Sequence, residues 1–261
     1  MPTSIWSDEI QTVFAQARSP RTKRVKIGDK TVEIPAPFPS PEDWRDKWIY
    51  FLLVDRFNNP QALPKRLPWD GEHGEYQGGT FNGVRAQLEY LQELGVGAIW
   101  LSPVLKNCQY SPYSYHGYGI QDYLQIEPRF ASDPEQARKN PQLAEDELIQ
   151  LIDEAHGRGI YVIFDIVLNH AGDVFEYEGY GSVAPRRDSP YSIRWRDQDG
   201  KGRPDWTSAP NQCPPDAAVW PTELRRNEFF RRKGEGDEAG GDFASLKELA
   251  TDCQELSPVY G

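Results

Sequence analysis

Asp165, Asn169 and His170 fall within six residues of one another, directly after the apolar run Ile160-Tyr161-Val162-Ile163-Phe164. A carboxylate, an amide and an imidazole at the mouth of a buried strand can orient hydroxyls, move a proton or ligate a cation. Ligands of parallel α/β sheets sit beyond the carboxyl ends of the strands, so polar groups there carry functional weight. The bland alternative is a loop whose side chains cap backbone groups. Asp55, which follows the apolar run Trp48 to Val54, holds an equivalent place. A second cluster is aromatic: Tyr110, Tyr113, Tyr115, His116, Tyr118 and Tyr123 alternate with Ser111, Ser114, Gln121 and Asp122. Sugars suit that combination, since their C–H faces stack on rings while their hydroxyls bond to Asp, Asn, His or Arg; ordinary core packing is the bland reading of such rings.

The elements that must position these groups follow from apolar spacing. Trp48–Val54, Ala98–Leu101 and Ile160–Phe164 are continuous apolar runs, as expected of parallel strands buried on both faces. Between the first two, Phe81, Val84, Leu88, Leu91 and Leu94 recur at helical spacing and Gly95 supplies a stop. Before the third, Leu143, Leu148, Ile149, Ile152 and Ala155 share a helix face, closed by Gly157 and Gly159. This is β-α-β-α-β, with right-handed crossovers expected. Residues 1–47 read as an appended segment: an amphipathic helix (Ile5, Trp6, Ile10, Val13, Phe14, Ala17), a hairpin turning at Gly28-Asp29, and an extended Pro-rich linker from Ile34 to Pro41. From 171 to 261 the periodicity fails among Gly, Pro and charge, with only short helix signals near Pro221–Phe230 and Ser245–Ala250, and the region reads as an irregular insertion.

Composition narrows the function classes. The 261 residues carry 29 Lys+Arg against 40 Asp+Glu, a net charge of −11, which argues against nucleic acid as partner. No stretch approaches the roughly 20 apolar residues of a membrane span. Asp8 and Glu9 interrupt the place of a signal-peptide core, so the expected location is cytoplasmic with no membrane association. Cys108, Cys213 and Cys253 show no CxxC spacing and read as buried or incidental thiols, and the absence of HxH or HExxH removes support for catalytic zinc. His73 reads as solvated surface and His156 as a helix-end residue complementing the dipole. Asp197-Gln198-Asp199-Gly200 with Asp205 reads as a turn, and the basic run Arg225 to Lys233 as a solvated helix face.

Several ordered motifs then resemble one family. Asp165-xxx-Asn169-His170 after a third strand, preceded by Tyr115-His116-Gly117-Tyr118 and Gln121-Asp122-Tyr123, is similar to the alpha-amylase superfamily of glycoside hydrolases. Tyr50–Phe57, Gly78-Gly79-Thr80-Phe81, the stretch Leu91 to Pro103 and Gly241-Asp242-Phe243-Ala244-Ser245-Leu246 extend the resemblance over about residues 42–252. It implies an α/β fold: a partial (β/α)8 TIM barrel, strands 1 to 3 within residues 48–170, followed by a loop domain over 171–261. It also implies that Tyr118 stacks on the sugar beside the cleaved bond, with His116, His170 and Asp122 as substrate-binding groups. Asp165 resembles the family's structural carboxylate, and Asn169 and Glu248 resemble ligands of a calcium ion. Gly119, standing where the family often has Trp, is expected to open the subsite.

The implied chemistry is retaining cleavage or transfer at α-glucosidic bonds of an α-glucan or oligosaccharide. Such chemistry needs two carboxyl groups roughly 5 to 5.5 Å apart. The family's Gly-x-Arg-x-Asp nucleophile motif, its acid on strand five and its later His-Asp pair are not found in residues 1–261. The nucleophile and acid/base are therefore expected beyond Gly261, the chain ending before strand four, and the three-stranded piece alone is expected to be marginally stable. Hydrolase, transglycosylase and non-catalytic carbohydrate-binding fragment all remain open at this level.

Overall fold

The computed structural model describes residues 2–62, 75–203, 213–236 and 240–251. In chain order they form α1 (Asp8–Ala17), β1 (Arg21–Ile27), β2 (Lys30–Ala36), β3 (Ile49–Leu52), α2 (Val54–Phe57), α3 (Phe81–Ala86), α4 (Leu88–Glu93), β4 (Ala98–Leu101), β5 (Leu105–Asn107), β6 (Ile120–Ile126), α5 (Pro134–Lys139), α6 (Gln142–Gly157), β7 (Tyr161–Phe164), β8 (His170–Ala171), β9 (Phe175–Tyr177), β10 (Ile193–Arg196), β11 (Gly202–Arg203) and β12 (Lys247–Glu248). Two compact units result, one from Trp6–Val104 and Gln125–Asp165, the other from Met1–Ile5, Leu105–Leu124 and Ile166–Gly261. The hairpin thus shares a unit with the β-α-β segment, and residues 105–124 share one with the region after β7. His73, Asp205 and Cys253 lie outside the described residues.

In the first unit β3, β4 and β7 form a parallel sheet in that order, with Phe51 opposite Trp100 and Trp100 opposite Ile163. Leu52, Ile99 and Leu101 pack on Phe81, Val84, Leu88, Leu91, Leu148 and Leu151, so one face is covered by helices. The other face departs from the expectation of burial on both sides. Ile49, Phe51 and Trp100 are 42%, 45% and 40% exposed, because among the described residues no second layer covers them. The first expected helix is interrupted at Gln87 into α3 and α4, and Leu94 is exposed at its end. The buried stripe of α6 is Ala144, Glu147, Leu148, Leu151 and Ala155; Ile149 faces water, since it lies about 100° round the helix from Leu148, off that i, i+3/i+4 stripe.

Asp55 is an interlock rather than a surface ligand. Fully buried, it accepts hydrogen bonds from the backbone N–H of Gln77 (2.9 Å) and Gly78 (3.0 Å). Burial pushes its pKa up, and those N–H groups together with Arg56 oppose the shift. Gly79 is required there because a Cβ would stand 2.0 Å from the Val54 carbonyl oxygen.

β1 and β2 pair with Ile27 opposite Lys30, leaving the two-residue turn Gly28-Asp29, in which Gly28 takes φ +56°. The hairpin docks on α6 through Lys23–Asp153 (2.7 Å) and through Ile27, which lies against Gly157. The Pro-rich stretch is not a free linker: Ile34–Ala36 belong to β2, and Phe38 stacks on His156 at 4.0 Å. α1 buries none of its residues. No helix among the described residues is long and apolar enough to cross a membrane.

The second unit has a core of its own, contrary to an irregular insertion. β9, β10 and β11 form an antiparallel sheet, β8 pairs with β12, and β5 with β6. Phe175 meets Trp195 edge-on at 5.7 Å and Phe230 at 5.4 Å. From residue 170 on, the strands are only two to four residues long, too short to register as sequence periodicity. The basic run is no solvated helix either: Arg225 is buried, stacks on Trp220 and donates to the Val219 carbonyl, while Arg231 pairs with Glu248. Asp197 does form a turn, accepting from the N–H of Asp199 and Lys201. Cys108 and Cys213 are buried thiols.

Candidate functional site

Tyr118 is held through both polar groups of its own backbone. Its N–H donates to His116 Nδ1 at 2.9 Å, and its carbonyl oxygen lies 3.1 Å from His170 Nε2. These bonds set the tautomers, because a carbonyl can only accept and an N–H can only donate. His170 therefore carries its proton on Nε2, leaving Nδ1 as an acceptor, whereas neutral His116 carries its proton on Nε2. Burial lowers the pKa of His170, opposed by its bond to Tyr118, so the ring is neutral near pH 7. The rings of His116 and Tyr118 lie 5.5 Å apart, and both remain half-buried. One aromatic ring and two imidazoles are thus held together.

The supports come from Tyr123 of the aromatic motif and from Asn107 and Gly172, which sequence reasoning passed over. Tyr123 donates its hydroxyl to the His170 carbonyl at 2.9 Å, and its burial raises the phenol pKa. Asn107 Nδ2 donates to the carbonyl of Gly117, which turns the loop with φ +88°. Gly172 N–H donates to the Ile120 carbonyl at 2.7 Å; a Cβ at Gly172 would stand 2.4 Å from the Gly119 oxygen and 2.8 Å from Cys108 Sγ. A glycine directly after His170-Ala171 is the only local signal of this close backbone crossing.

Other expected site residues are placed differently. Asp122 is 2% exposed; it caps Leu124 N–H at 2.8 Å and faces Lys106, Asp216 and Arg225, so it belongs to a buried charge cluster and not to a sugar-facing surface. Gly119 does not open space: a side chain there would begin 2.8 Å from Ser114 Oγ and 3.1 Å from Asn107 Oδ1. Asp165 is half-buried at the end of β7 in the first unit, its N–H donating to Leu101 at 3.3 Å.

Asn169 and Glu248 are brought together, for Leu249 N–H donates to the Asn169 carbonyl at 2.8 Å. Their donor set does not fit calcium, which takes six to eight oxygens. The Asn169 side chain is exposed, Glu248 Oε1 is 3.1 Å from Arg231, and only Glu248 Oε2 is left without a hydrogen bond. Among the described residues no three His, Cys, Asp or Glu side chains gather to hold an ion.

The first unit thus holds a parallel β-α-β-α-β sheet and the second an aromatic and imidazole cluster. The comparisons place the chain within a family. Residues 51–238 match the alpha-amylase catalytic domain, and the chain belongs to that family. It is 39% identical over 144 residues to alpha-amylase mde5 of Schizosaccharomyces pombe, covering 54% of this chain and 25% of that protein. It is 32% identical over 159 residues to the periplasmic alpha-amylase of Escherichia coli, covering 53% and 22%. Neopullulanase 2 of Thermoactinomyces vulgaris is 37% identical over 145 residues, covering 53% and 22%. Among solved structures, alpha-amylase from Geobacillus thermoleovorans complexed with acarbose aligns with TM-score 0.50 and 28% identity, covering 84% of this chain and 36% of that one. The matched part therefore spans about a quarter of the length of these curated relatives.

Proposed function

We propose that this chain forms the first three β/α units and the sugar-binding loop of a retaining glycoside hydrolase acting on α-glucosidic bonds. The observation that carries the reading is the two-sided grip on Tyr118 by His116 and His170. Tyr118 stacks on the sugar beside the scissile bond. The two imidazoles bind hydroxyls of the bound sugar, so an α-glucan or maltooligosaccharide is oriented without either ring changing protonation. Asp165, at the end of the third parallel strand, acts as a positioning carboxylate.

Residues 1–261 contain no Gly-x-Arg-x-Asp motif, so the nucleophile and the acid/base are assigned to sequence outside this stretch. The chemistry there is double displacement: one carboxylate attacks the anomeric carbon while the other protonates the leaving oxygen, and water or a sugar acceptor then releases the glycosyl group. The test is a calorimetric titration of maltooligosaccharides against the parent and Tyr118→Ala. A loss of about tenfold or more in affinity supports the assignment. Unchanged binding sinks it, and binding by a natural full-length protein that never cleaves would leave a carbohydrate-binding role alone.

A further inference from the structure

The side chain of Lys247 is fully enclosed in the second unit. Its ammonium meets three oxygens, Asp242 Oδ2 at 3.2 Å from five residues upstream and, from much farther along the chain, Asp173 Oδ1 at 3.6 Å and the Ser182 carbonyl. The faces of Tyr177 and Phe175 close the cage, with ring centroids 4.7 and 5.0 Å from Nζ. Asp173 Oδ1 has no hydrogen-bond partner, whereas Oδ2 of the same carboxylate takes Ser182 Oγ at 2.7 Å and Arg196 at 3.3 Å. Asp242 is held in place by the Tyr177 hydroxyl (2.6 Å) and Glu248 N–H (3.0 Å). Two carboxylates and a carbonyl converging on one point are the donors a hard divalent cation takes. An ammonium has three N–H donors to offer them. Arg231, on Glu248, likewise supplies positive charge from within the chain.

We propose that Lys247 is the built-in cation of this unit, filling a carboxylate-lined cage and making the β8–β12 ladder that carries His170 independent of a bound metal ion. The chain thereby departs from the calcium that its family resemblance implies. Burying an ammonium with its counter-charges leaves removal of either partner strongly destabilising. Removing the ammonium while keeping the acids leaves two carboxylates without their counter-charge.

The experiment is thermal unfolding of the purified full chain, followed by circular dichroism, in excess calcium and in excess EDTA. The parent is expected to melt at the same temperature in both; a midpoint that falls on chelation overturns the proposal. Lys247→Met, which keeps the aliphatic stem, is expected to lower the midpoint by about 10 °C. If that variant does not fold, Lys247→Met combined with Asp242→Asn decides: partial recovery supports the charge pairing, and a further or equal loss overturns it. Terbium luminescence already present in the parent, quenched by calcium, would overturn the assignment.

Discussion

Tyr118 owes its position to backbone bonds, so its ring can be deleted without releasing the two imidazoles that hold its peptide. That separation makes residue-scale tests clean. His170 has a pKa depressed below the ordinary 6.5 by burial. A depressed histidine contributes stability above the unfolded value and loses it as pH falls through the folded value, because the unfolded chain binds the proton first. The urea midpoint of the parent is therefore expected to drop between about pH 7 and pH 5. His170→Gln, which cannot titrate, should show a shallower drop; identical slopes would remove the role assigned to burial. Gly172→Ala is a second residue-scale test. Its Cβ would be driven into the Gly119 oxygen and Cys108 Sγ, so a loss of about 2 kcal/mol is expected together with weaker maltooligosaccharide binding. Full stability by urea denaturation would show that the crossing relaxes freely.

At the scale of elements, the loop after β3 and the start of α3 are fastened by Asp55 and by the absence of side chains at Gly79 and Gly83. Asp55→Ala leaves the N–H groups of Gln77 and Gly78 without an acceptor in a buried place. A loss of about 2 to 3 kcal/mol follows, read from the denaturant midpoint. A change under about 0.5 kcal/mol would mean that water reaches those donors. The Asp-Arg-Phe and Gly-Gly-Thr motifs were thus visible in sequence as one family signature. Their work is mutual fastening, which only the hydrogen bonds from residues 77 and 78 back to residue 55 disclose.

For the whole molecule, the uncovered sheet face is the largest consequence. Ile49, Phe51 and Trp100 present an apolar surface that a (β/α)8 barrel fills with side chains from its other strands. The 1–261 chain on its own is therefore expected to bind a hydrophobic dye and to associate at micromolar concentration. Phe51→Lys with Trp100→Lys should reduce both while leaving far-ultraviolet dichroism intact. Light scattering that finds the parent monomeric and dye-free would contradict this.

The three strands and the helices between them were legible in the linear sequence through local periodicity, whereas Tyr118, His116 and His170 were joined only by the family resemblance, since His170 lies 52 residues from Tyr118. Four features were decided only in the folded chain. Asp122 turns into a cluster with Lys106 and Arg225, Ile149 turns to water while Leu151 is buried, Gly119 packs where an open subsite was expected, and Lys247 meets Asp173 and Asp242. Charge pairing and close backbone crossings join residues tens of positions apart, and a pattern read along the chain carries period but not partner. What a buried side chain does is set by what lies opposite it, and that is a property of the tertiary fold.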